Sequence, residues 1–209
     1  FLMKEGLQVF IKDKIDNDIN IKSVLDVISS YIPSHLFSEI DSIYVGMFDD
    51  FEKKETNAAY KDGAIYISNE QDDEQDLIDD IVHEVAHSLE QPFGHLIYSD
   101  GTLKNEFITK RQKLYDVLES EGLNPNKDLF MQTEYSAEMD NYLYKKVGYD
   151  RLNMIMATYD IFTSAYPATS LREYFASGFE FYFLEDPSTL MEISPVLFKK
   201  IEEIHNYED

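Results

Sequence analysis

The stretch Ile78-Asp79-Asp80-Ile81-Val82-His83-Glu84-Val85-Ala86-His87-Ser88-Leu89 decides how the rest of the chain is read. Ile78, Ile81, Val82, Val85, Ala86 and Leu89 recur at helical spacing, so one side of a helix here is apolar. His83 and His87 stand four apart, which places both imidazoles on one face, one turn from each other. Glu84 lies beside them. This is the His-Glu-x-x-His arrangement, in which two imidazole nitrogens hold one zinc ion and the carboxylate reaches a water on that ion. Three fixed positions can coincide by chance. Here the helical context is intact, and two of the chain's five histidines fall in the motif.

Working outward, Glu70 to Asp76 is acidic and suits the positive end of the helix that follows. Pro92 and Gly94 are expected to stop that helix near Gln91. Upstream, a helical region is expected over Ile21 to Ile40, broken near Pro33, and Ser42 to Met47 reads as a strand. Asp49 to Asn57 reads as a charged loop and Lys61-Asp62-Gly63 as a turn. Ala64-Ile65-Tyr66-Ile67-Ser68 reads as a second strand. Downstream the pattern is helical over Leu103–Ser120, Gln132–Val147, Arg151–Ser164, Leu171–Leu184 and Pro195–His205. The expected class is α+β. A small mixed α/β lobe with an edge strand spans about residues 1–95 and ends in the central helix, and a mostly helical lobe spans about 96–209. The two lobes are expected to form a single catalytic domain over the whole 209 residues.

Eighteen basic residues against 41 acidic ones leave a net charge of −23, a field that repels nucleic acid and anionic membranes and attracts cations and basic peptides. No apolar run approaches the length of a membrane span, so insertion into a bilayer is not expected. The chain opens on Phe1 and shows no recognisable targeting segment; secretion and association with a virus particle both fit. There is no cysteine, so a transition-metal site must be built from histidine and carboxylate.

A catalytic zinc takes three protein ligands and keeps one position open. A third histidine at the spacing of the metzincins would stand at position 93, which is Phe93, and their glycine would stand at Glu90. His95 follows a Pro-Phe-Gly turn at no familiar spacing. A carboxylate from a later helix is left, from Glu134 or Glu138 in one segment, or from Glu173 in another. Leu171, Tyr174, Phe175, Gly178, Phe179, Tyr182 and Phe183 line one face of the second segment, with Glu173 at its border. Gly178 would permit close packing on the metal helix. Against this, Ser170-Leu171-Arg172-Glu173 is also a capping-box pattern, in which Glu173 would serve only the helix start.

Tyr166-Pro167-Ala168-Thr169-Ser170-Leu171-Arg172-Glu173-Tyr174-Phe175-Ala176, taken with the histidine motif, resembles the catalytic domain of anthrax lethal factor and the related Pro-Pro endopeptidases. Tyr166 stands seven residues before Glu173, as a tyrosine does before the glutamate ligand in that family, and Glu-Tyr-Phe-Ala matches the start of its ligand helix. Glu106 to Gly122 is similar to the helix these enzymes carry between the two motifs.

The resemblance covers roughly residues 64–120 and 160–205. It implies a zincin-like fold and a zinc metallopeptidase acting on protein or peptide substrates. His83, His87 and Glu173 would hold Zn2+, Glu84 would be the base, and Tyr166 would donate to the oxyanion. In that fold an edge strand pairs with the extended substrate, a role that falls to Ala64–Ser68.

Two departures stand out. The family's second glutamate, four residues after the ligand, is Ser177 here, so Asp80, Glu90 or Glu180 is expected to orient a histidine instead. About Asn124 to Val147 also reads as an added helical unit. The rival readings are a zincin-fold component of a larger assembly, such as a virus particle, with little activity, and a regulatory protease of the ImmA/IrrE type.

Overall fold

The computed structural model describes every residue except 5, 16–17, 50, 52–55 and 208–209. The protein is a mixed α+β chain that divides into two compact units, Phe1–Pro92 and Phe93–Asp209. Most of the Asp49–Asn57 stretch, read above as a loop, lies outside the described residues.

The first unit carries a four-stranded sheet of β1 (Gln8–Ile11), β2 (Ser42–Gly46), β3 (Ala58–Lys61) and β4 (Ala64–Ser68), in the order β1-β2-β4-β3. β1, β2 and β4 run parallel, and β3 returns antiparallel to β4. Alternation along the strands sorts the side chains between the two faces. Val9, Ile43 and Ile65 share one register row and, with Val45 and Ile67, are buried. The next row, Phe10, Tyr44 and Tyr66, stacks across the strands on the opposite face, at centroid spacings of 5.1 and 5.4 Å. The apolar core is completed by Val24, Leu25 and Ile28 of α1 (Ile21–Tyr31) and by Leu77, Ile78, Ile81, Val82 and Val85 of α2 (Glu74–Ile97).

Two expectations change in this unit. Among the described residues Ala64–Ser68 is an inner strand, and the edge beside it is β3, whose polar and small residues gave no strand signal. The helix does not end at Gln91: it continues through Pro92 to Ile97. Pro92 forfeits the one backbone bond its N–H would have made, and an interior proline costs about 3 kcal/mol. Phe93 and Ile97 are buried beyond it, each worth roughly 1.5–3 kcal/mol, and that is enough to carry the helix on.

The second unit is helical: α3 (Thr102–Ser120), α4 (Lys127–Phe130), α5 (Ala137–Asn141) running into a π-helical turn (Tyr142–Val147), α6 (Tyr149–Tyr159), α7 (Leu171–Leu184), α8 (Pro187–Ile193) and α9 (Pro195–His205). The helix expected from Gln132 starts only at Ala137, because the Ser136 hydroxyl caps the Met139 N–H and the preceding residues are held elsewhere. The helix expected to reach Ser164 ends at Tyr159, where Asp160 takes a left-handed conformation with φ 49°. Gly178 does make a close approach, but to α9: a Cβ there would lie 2.3 Å from Leu197 Cδ2.

Charged side chains are buried or half-buried in this unit as well. The carboxylate of Glu106 accepts the Tyr174 hydroxyl at 2.8 Å and the Val196 and Leu197 N–H groups at 2.8 and 3.0 Å, so it caps α9 and holds α7 at once. Arg111 is fully buried, with Phe107 and Phe130 rings beside its guanidinium. Its Nη2 donates to the Gln132 carbonyl at 3.2 Å and to the Thr169 carbonyl at 3.4 Å, and Leu171 N–H donates to the Thr133 carbonyl at 2.8 Å. The Gln132-Thr133 stretch is therefore laced to the loop that opens α7.

Burial pushes Arg111 down to about 10, which still leaves it charged at neutral pH. Among the described residues its Nε and Nη1 have no hydrogen-bond partner. Two long bonds to carbonyls, about 1 kcal/mol each, do not offset the several kcal/mol of burying a charge. Arg111→Met is therefore expected to be at least as stable as the parent in urea denaturation. A loss above about 2 kcal/mol would show that the lacing, and not the desolvation, dominates.

Candidate metal centre

α2 places His83, Glu84, His87 and Glu90 along one stretch of helix whose other side is fixed by Val82, Val85, Ala86 and Leu89, all fully buried. The two imidazole centroids lie 5.0 Å apart, with the ring planes at 75°. The Nδ1 of His87 is 2.5 Å from a Glu90 carboxylate oxygen. An acid at this distance fixes the ring's orientation and raises its basicity. Glu90, one of the three acids expected to orient a histidine, is in contact with His87.

Asp80 lies half-buried one turn before His83 and accepts from Gln71 Nε2 at 3.0 Å. Burial pushes its carboxyl up to about 6; the Gln71 bond opposes this, the negative charges of Asp76 and Glu84 add to it, and His83 opposes it. Glu84 is 6% exposed, and one oxygen accepts the Tyr60 backbone N–H of β3 at 2.6 Å. A carboxylate bond to an N–H at this length is of the strong, charge-assisted kind.

In the second unit, α7 begins as the sequence indicates. The Ser170 hydroxyl accepts the Glu173 N–H at 3.2 Å, which makes Ser170 the N-cap. That bond uses the backbone N–H of Glu173. Tyr166 lies in a short 3-10 turn, Tyr166–Ala168, and is 47% exposed; the N–H and hydroxyl of Thr169 both donate to its carbonyl. Ser177 is buried on α7 and Glu180 is half-buried about a turn further along.

The ligand atoms of His83, His87 and Glu173 all lie within 4.8 Å of one another, and the three residues are half-buried, so this group could hold a metal ion. Among the described residues, Glu134, Glu138 and His95 are not in it. Two imidazoles and a carboxylate are a donor set suited to zinc, at about 2.0–2.2 Å from each ligand.

Sequence reasoning did not find the Tyr60 N–H, since any residue would supply it, nor Gln71. It also passed over Arg111, although a lone arginine among Phe107, Leu114 and Leu118 at helical spacing was a visible signal of a buried charge. No family model matches the chain, and neither a curated protein nor a solved structure matches it.

Proposed function

We propose that this chain is a zinc-dependent endopeptidase with a zincin-like fold, similar to the lethal factor-like enzymes. The observation that carries the reading is the convergence of the Glu173 ligand atom with those of the two motif histidines. The sequence pairing of Tyr166 with Glu173 supports it, as does an antiparallel edge strand hydrogen-bonded to the motif glutamate.

In this reading His83, His87 and Glu173 hold the ion. Zinc, when bound, supplies Lewis acidity and a water whose pKa falls to about 7. Glu84 takes the proton of the attacking water and delivers it to the leaving amine. The Tyr166 hydroxyl donates to the oxyanion of the tetrahedral species. An extended peptide pairs with β3 at Ala58, and the acidic surface favours substrates with basic residues. The buried, hydrogen-bonded Glu84 favours an enzyme over a purely structural role in an assembly, because a structural zinc needs no base.

Purified protein is expected to carry about one zinc per chain and to cleave members of a peptide library. A chelator should abolish cleavage and added zinc restore it. Protein that binds zinc but cleaves nothing would turn the reading to an assembly component. Protein that takes up no transition metal would end it.

A further inference from the structure

The hydrogen bond between Glu84 and the edge strand follows from the geometry of a single turn. Asp62 and Gly63 both have positive φ, 49° and 80°, and separate Lys61 from Ala64, which pair across the turn. This is the two-residue hairpin whose twist matches the strands, and the residues flanking it form the hydrogen-bonded pair. Bonded and non-bonded pairs then alternate along the ladder. Lys61 and Ala64 are bonded, so Tyr60, opposite Ile65, turns its N–H and carbonyl away from β4. Ala58, opposite Ile67, does the same.

An outward N–H on an edge strand is ordinarily what an incoming strand pairs with. At Tyr60 that donor is already committed to Glu84 Oε2, at 2.6 Å. The carboxylate grows from a helix turn whose neighbours Val85 and Ala86 are fully buried, so the two ends of the bond are each set by a rigid element.

We propose that the Tyr60 backbone N–H is a positioning group for Glu84: the edge strand holds the base by one oxygen and thereby sets its orientation toward the attacked carbonyl. This rests on the peptidase reading. It makes β3 a two-part device. Ala58 offers the outward N–H that a substrate can pair with, and Tyr60 spends its own on the base. A peptide seated on β3 and the carboxylate that serves it are then located by the same strand, with no mobile loop between them.

Proline tests this, because it removes an N–H and is tolerated on an edge strand where that N–H points outward. In Tyr60→Pro, zinc content should be unchanged and kcat should fall about tenfold or more, with little change in KM, because the base is misplaced while substrate pairing is kept. A raised KM with kcat preserved would overturn the proposal, since it would show the N–H serving the substrate instead.

A second measurement needs neither activity nor metal. By NMR on the metal-free chain, the Tyr60 amide proton should resonate downfield and exchange slowly. Glu84→Ala should move it upfield and speed its exchange about tenfold or more, while the Ala59 amide, within the ladder, keeps its protection. A Tyr60 amide indifferent to Glu84→Ala would refute the contact even if the protein cleaves peptides. A wild-type protein that cleaves nothing would refute the peptidase reading and leave the NMR result to stand or fall separately.

Discussion

Glu84→Gln is expected to hold zinc as the parent does and to lose hydrolysis by a factor of about 10²–10⁴. The amide keeps the size and shape of the carboxylate, and its oxygen can still accept the Tyr60 N–H, so neither the helix nor the edge strand has reason to move. What it cannot do is take a proton from water at neutral pH. The loss should therefore appear in kcat and kcat/KM together, with KM nearly constant, since the missing interaction belongs to the transition state. Steady-state kinetics on any cleaved library peptide, with metal content measured on the same sample, checks this. A variant that cleaves at the parental rate would remove Glu84 from the mechanism.

Glu173→Ala should reduce zinc affinity by at least about 100-fold, more than the loss of a residue that merely supports a ligand would cause. Activity should fall with it. The two roles the sequence left in competition predict different outcomes for this variant. The Ser170 cap binds the Glu173 backbone N–H, which alanine retains, whereas the carboxylate belongs to the group with His83 and His87. The stability of the metal-free protein should thus change by no more than about 1 kcal/mol, the size of a cap contribution. Glu134→Ala and Glu138→Ala should keep full zinc affinity. Competitive titration with a chromophoric chelator on the three variants distinguishes these outcomes. Unchanged affinity in Glu173→Ala would refute the assignment and take the lethal factor resemblance with it.

The parts of this protein that could be read from its sequence are those whose signal is periodic or stereochemical. The helix around His83 is legible because its apolar residues recur every three or four positions, and α7 because Ser170 caps it and its aromatic face repeats. The Asp62-Gly63 turn is legible because only a few residues accept positive φ. The misreadings share another cause. Pro92 looks like a stop until the burial of Phe93 and Ile97 is weighed against it. Gln132 to Ser136 looks helical until Arg111 and the Leu171 N–H claim its carbonyls. β3 was invisible because Ala58, Ala59 and Lys61 carry little strand preference, and its place is set by the turn and by pairing with β4. In the site, the grouping of Glu173 with the two motif histidines was legible from the sequence. The role of Glu90 became clear only as geometry, because the sequence offered several acids at workable spacings.

The reach of Glu106 bears on when α7 takes its final position. Its bonds span 68 residues to Tyr174, 90 to Val196 and 91 to Leu197. Contacts of such sequence separation close late, after the local helices have formed. On the ribosome, where a chain emerges from its N-terminus, the histidine motif is exposed for the synthesis of more than a hundred further residues before Leu197 appears. The carboxylate that anchors Tyr174, the neighbour of Glu173, lacks its α9 partners until then. A growing chain consequently carries the histidine motif long before Glu106 can close its bonds to α9 and, through Tyr174, fix α7.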